Sequence, residues 1–125
     1  MNIVRTEIWV TIPLVPVEQP DLDAYYLRLA TFGFDTGFRE GDQFEIQDWS
    51  FGQNRSVVIN ETAAIVKRTI QIIPSEQVSS GQKQDVFQIS LYAEIADKEK
   101  LQEICMSMKA LNPGKFVDSP VLTGG

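Results

Sequence analysis

Between Asp85 and Gly114 the chain changes its hydrophobic period, and this change constrains the fold more than any other feature. In Val86-Phe87-Gln88-Ile89-Ser90-Leu91-Tyr92-Ala93-Glu94-Ile95 the odd positions are all apolar and the even positions after Val86 are mostly polar. Period two is the pattern of a strand with one buried face. Two residues later Leu101, Ile104, Cys105, Met108 and Leu111 recur at the spacing of an amphipathic helix. Asp97 suits the helix N-cap, and Asn112-Pro113-Gly114 stops it. Strand and helix share one buried side, so this part of the chain predicts a helix lying on one face of a sheet.

The remaining elements follow from the same rules. Glu7 to Ile12 reads as a strand with Ile8, Val10 and Ile12 on one face and Glu7, Trp9 and Thr11 on the other, ended by Pro13 and Pro16. Pro20-Asp21 opens an expected helix whose stripe is Leu22, Tyr25, Tyr26, Leu29 and Phe32, with Gly33 as its stop. Gly37 to Asp42 reads as loop. Phe44 to Phe51 and Arg55 to Asn60 read as a hairpin turned at Gly52-Gln53-Asn54. Thr62 to Ile73 is β-branched but alternates poorly, as a strand does when it outruns the sheet or is partly covered on both sides. Ser75 to Gln84 is a hairpin-type loop, and Lys115 to Leu122 a last edge strand. The order predicts a single α+β domain over 1–125 of the ferredoxin-like class. This is a two-layer β-α-β-β-α-β sandwich with an extra hairpin and two helices on one face of an antiparallel sheet.

Composition narrows the chemistry. Seventeen acidic residues against eleven basic ones give a net charge of −6, which repels phosphate backbones and anionic membranes. The chain has no histidine, so neither a Ser-His-Asp nor a Cys-His nucleophile system is available within it. The one cysteine, Cys105, falls on the apolar stripe of the second helix and reads as a packed thiol. The apolar run Ile8 to Val17 is too short to span a bilayer and is broken by prolines, so it reads as a strand rather than a signal, and the expected setting is cytoplasmic. Asp42, Glu45 and Asp48 lack calcium-loop spacing. No metal site, cofactor or catalytic residue is expected. Asp48, Arg55 and Glu61 beside Trp49 and Tyr92 are the one acid–base set worth locating.

In a ferredoxin-like sheet the strands at Glu7–Ile12 and Val86–Ile95 are central neighbours. Trp9 and Thr11 then share the face away from the helices with Gln88, Ser90 and Tyr92, and these five form the candidate binding surface. RNA-recognition domains stack bases on aromatics of two such strands, but the acidic balance disfavours nucleic acid as partner. The expected function is a non-catalytic interaction or assembly protein. Its partner is a second copy or another protein, met through this face or through the ribbon Thr62–Ile73/Val86–Ile95. The alternative is a small-molecule binder, or a histidine-free acid–base enzyme, with an enclosed cleft. The terminal Gly124-Gly125 resembles the tail of ubiquitin-like modifiers over two residues, but those folds open on a strand hairpin rather than a strand and helix.

Overall fold

The computed structural model describes residues 3–51, 55–74 and 85–117. The expected Gly52-Gln53-Asn54 turn, the loop Ser75–Gln84, the outer part of the Lys115–Leu122 strand and Gly124-Gly125 lie outside these residues. The elements are β1 (Ile3–Ile12), β2 (Val15–Pro16), β3 (Tyr25–Phe32), β4 (Gln43–Phe51), β5 (Val57–Ile73), β6 (Val86–Ile95), α1 (Lys98–Leu111) and β7 (Phe116–Val117). Five strands form one sheet in the order β3-β1-β6-β5-β4, curled into a half-barrel, while β2 and β7 pair separately. Within the sheet β1 and β6 run parallel and the other neighbours antiparallel.

This overturns the ferredoxin-like α+β sandwich. Strands make up 57% of the described residues and helix 15%, and α1 is the one helix among them. The expected first helix is instead β3, paired antiparallel with β1 from Thr6↔Phe32 to Ile12↔Tyr25. Its physical reason is a bulge. The register shifts between Ile8↔Ala30 and Trp9↔Arg28, so Leu29 is an extra residue on β3. Tyr25 and Leu27 then lie beside the inward Ile12 and Val10, while after the bulge it is Phe32 that lies beside the inward Thr6. A period-two pattern interrupted by one residue leaves Tyr25, Leu29 and Phe32 at four- and three-residue spacing, which imitates a helix stripe. The aromatic content of the segment favours the strand.

Two more bulges act in the same way. In β4 the pairing passes from Ile46↔Glu61 to Trp49↔Ile59, with Gln47 and Asp48 together opposite Asn60. Asp48 takes a positive φ of 51° and donates its N–H to the Asn60 side-chain oxygen at 2.7 Å. Aspartate tolerates this left-handed conformation better than most residues. In β5 the register moves from Ile65↔Ala93 to Lys67↔Tyr92, which makes Val66 the extra residue. Ala63 and Ile65 point inward before it, and Arg68, Ile70 and Ile72 share that side after it, so the poor alternation of Thr62–Ile73 is a phase change within one strand. Bulges sharpen local twist, and three of them curl the sheet.

The core lies between the inner face of the sheet and α1. Ile8, Val10 and Ile12 of β1, Ile59 and Ile65 of β5, and Ile89, Leu91, Ala93 and Ile95 of β6 are buried. From the helix come Leu101, Ile104, Cys105 and Met108. Each large apolar side chain so buried contributes roughly 1.5–3 kcal/mol. Asp97 caps α1 by accepting from the Glu99 and Lys100 N–H groups, and Asn112 closes it by donating to the Met108 carbonyl. Burial raises the Cys105 thiol to about 11, which leaves it protonated and inert. No helix among the described residues is long and apolar enough to cross a membrane.

The segment 33–42 crosses back over the inner face at the end away from α1. Thr6, fully buried, donates its hydroxyl to the Phe34 carbonyl at 2.6 Å. Arg68 donates to the Phe38 carbonyl at 3.2 Å and forks onto both carboxylate oxygens of Asp35 at 3.4 and 3.2 Å. The Gly37 N–H, and after it the Arg68 guanidinium, hold the Asp35 carboxyl below its ordinary 3.8. A depressed carboxylate stabilises the fold above its unfolded value, and this contribution disappears as pH falls through the folded value. Asp35→Asn is therefore expected to lower the urea midpoint at neutral pH, with the gap to wild type closing as pH drops below 3.8. Urea melts at several pH values check it, and a gap independent of pH rules it out.

Candidate functional site

The parallel pairing of β1 with β6 places Trp9 directly beside Tyr92, Glu7 beside Ser90 and Arg5 beside Gln88. All six side chains lie on the outer face, away from the buried side chains of β1 and β6, and the first turn of α1 reaches this face with Lys98 and Leu101. The adjacency expected of these two strands is present, although the fold around them is a different one.

Trp9, Thr11 and Tyr92 line a cleft of about 660 Å³ at the carboxyl ends of β1 and β6. The last direct pair is Val10↔Ala93, beyond which β1 turns off at Pro13 and β6 leads into α1. The Thr11 hydroxyl donates to the Ala93 carbonyl at 2.8 Å, so it ties the two strands together and is spent as a donor. The neighbouring strands add Tyr26 from β3 and the bulged Val66 with Lys67 from β5. Tyr26 meets Tyr92 edge to face with centroids 5.5 Å apart, and Lys67 Nζ stands 6.0 Å from the Tyr92 centroid.

The charged rim is mixed. Glu94, near the end of β6, is held by Lys98 at the start of α1 at 4.0 Å, where both are largely solvated. Asp23 lies on the opposite rim. Burial first, and the Asp23 and Tyr92 neighbours after it, push the Tyr26 phenol above its ordinary 10.0. Tyr26 therefore enters the cleft as a neutral hydroxyl, able to donate one hydrogen bond but not to act as a base near neutral pH. The lining contains no serine or cysteine, and the chain has no histidine. Among the described residues no three His, Cys, Asp or Glu side chains gather as a metal site.

Gln88 and Ser90 lie outside this cleft. Gln88 is buried, accepting from Arg5 Nε at 2.8 Å, and its Nε2 has no acceptor among the described residues. Ser90 is half-buried in the row between Glu7 and Thr69. The acid–base set does not assemble. Asp48 and Glu61 sit together at the β4 bulge, and Trp49 packs on Phe51 there. Tyr92 belongs to the cleft two strands away on the sheet. Sequence reasoning missed Tyr26 and Lys67. Tyr26 sits in a segment whose apolar spacing imitates a helix, and the phase change at Val66 conceals which face Lys67 joins. Comparison with protein-family models, curated proteins and solved structures finds no match to this chain.

Proposed function

We propose that this protein is a non-catalytic binding protein that takes a compact, ring-bearing ligand in the outer-face cleft. The observation that carries this is the convergence of Trp9, Tyr26 and Tyr92, from three adjacent strands, into one cleft of about 660 Å³. Small-molecule sites are concave and mostly apolar, with a few polar groups that set orientation, and typically measure about 300–1,000 Å³. A concave aromatic surface suits such a ligand better than the flat protein contact expected of this face. Binding rather than catalysis is supported by a lining in which the Thr11 hydroxyl is engaged, the Tyr26 phenol is neutral and Glu94 is paired. A cytoplasmic setting is proposed with it, on a single buried thiol and no need of a disulfide.

The test is a ligand-observed NMR screen of small aromatic and sugar-ring compounds against wild type, Trp9→Ala and Tyr92→Ala. Hits that lose their saturation transfer with both variants, while Ser90→Ala keeps it, support the cleft. Hits that survive both substitutions, or a screen without hits, end the proposal.

A second reading, self-assembly through the β5/β6 ribbon, has its own observation. Ile70 and Ile72, paired with Ile89 and Phe87 on the inner side, are 56% and 60% exposed, and Phe34 over the same end is 59% exposed. Exposed apolar groups gathered in this way mark contact surfaces. Sedimentation velocity over a wide concentration range tests it. Concentration-dependent association lost in Ile70→Lys/Ile72→Lys supports it, and a monomer throughout removes it.

A further inference from the structure

The strand registers set four residues in one row across the outer face. Arg28 of β3 pairs with Trp9 of β1, Trp9 with Tyr92 of β6, and Tyr92 with Lys67 of β5. Directly paired residues project from the same side of a sheet with their Cβ atoms about 4.5–5.5 Å apart. The row therefore reads cation, aromatic, aromatic, cation. Trp9, Tyr92 and Lys67 of this row line the cleft, whereas Arg28 stands outside its lining.

The charges around this row are not balanced evenly. Glu94 is taken by Lys98 at 4.0 Å. Lys67 enters no ion pair among the described residues, and its nearest partner is the face of Tyr92, 6.0 Å from the centroid. Asp23 lies on the far rim beside Tyr26, off the row. An ammonium over a ring face is attracted by the ring, yet retains its capacity for an anion. On a chain of net charge −6, this row is thus a local site for negative charge.

We infer that the cleft's ligand is a planar aromatic molecule bearing one anionic group, stacked on Trp9 and Tyr92 with the anion at Lys67. The inference rests on the cleft being the binding site. Planarity follows from two aromatic side chains, Trp9 and Tyr92, lining one cleft, since a flat ring offers apolar contact to both. A single anionic group follows from Lys67 being the one cation lining the cleft that enters no ion pair among the described residues, since Lys98 is paired with Glu94 and Arg28 lies outside the lining, within a chain whose overall charge repels polyanions. A carboxylate on an aromatic acid and the phosphate of a mononucleotide share this chemistry. The cleft of about 660 Å³ admits either.

The experiment is a titration of Trp9 fluorescence in Trp49→Phe protein, which leaves Trp9 as the one tryptophan. The probes are naphthalene-2-carboxylate, its neutral carboxamide, adenosine 5′-monophosphate and adenosine. The expected result is saturable quenching by one of the anionic probes, with its neutral counterpart bound about tenfold more weakly, the scale of one charge-assisted contact. Lys67→Met is expected to weaken the anion to the level of the neutral probe and to leave the neutral probe unchanged. Lys67 is exposed, so the substitution leaves the core untouched. Preference for the carboxylate or for the phosphate pair identifies the source of the anion. If neutral and anionic probes quench equally, or Lys67→Met weakens both alike, the ligand class is overturned while the cleft remains a binding site. If no probe quenches and the NMR screen has no hits, both fail together. Tighter binding of an oligothymidylate, falling steeply with salt, also overturns the inference, because it marks a strand-binding face.

Discussion

Leu91→Ala is expected to lower stability by about 2–5 kcal/mol, toward the top of that range. Leu91 is fully buried on β6, the middle strand of the sheet. It lies in one row between Ile8 of β1 and Arg68 of β5, with α1 packed over the same face. Strands on both sides and a helix above leave little freedom to close the void, and an uncollapsed cavity carries the larger cost. The control is the next residue. Ser90 points to the opposite face, so Ser90→Ala is expected to stay within about 0.5 kcal/mol. Urea unfolding checks both, reading midpoint shifts at constant slope. A loss below about 1 kcal/mol for Leu91→Ala, or equal losses for the two, contradicts the assignment of faces.

Arg68→Ala carries the second large effect, at about 1–3 kcal/mol. Only 16% of the Arg68 side chain is exposed. Its guanidinium satisfies the Phe38 carbonyl and forks onto Asp35, and so fastens the 33–42 segment over the inner face. Removal strands a half-buried carbonyl and frees the segment. Hydrogen exchange at the Gly37 and Arg39 amides, which donate to Asp35 and Asp42, is expected to accelerate in the same variant. Arg68→Lys retains charge but not the planar fork, and should recover only part of the loss. Unchanged exchange together with wild-type stability would show that the segment is held by other contacts.

Both residues bear on how much of this structure was visible in the chain. Leu91 was readable, because β6 alternates without interruption and the period of α1 follows at once. The same holds for Ile8, Val10 and Ile12 of β1. From those two strands came the neighbourhood of Trp9 and Tyr92, and so part of the cleft. Arg68 was not readable. Its role depends on a loop thirty residues earlier arriving at the same end of the sheet, and a charged residue within a β-branched run gives no sign of its partner. Tyr26 and Lys67 were hidden for a related reason, since each follows or precedes a bulge that reverses which face the chain shows.

By itself, then, the amino-acid order determined where an unbroken period could express itself: the buried faces of β1 and β6, the helix α1 with its Asp97 cap, and the absence of histidine chemistry. Only the tertiary structure decided the curl of the sheet, the conversion of Tyr25–Phe32 from expected helix to strand, and the row Arg28-Trp9-Tyr92-Lys67. The physical reason is the bulge. Periodicity is a local property, and one inserted residue shifts its phase at negligible local cost. Whether that phase is a helix or a kinked strand is settled by the neighbour it pairs with, and that neighbour lies far away in the chain.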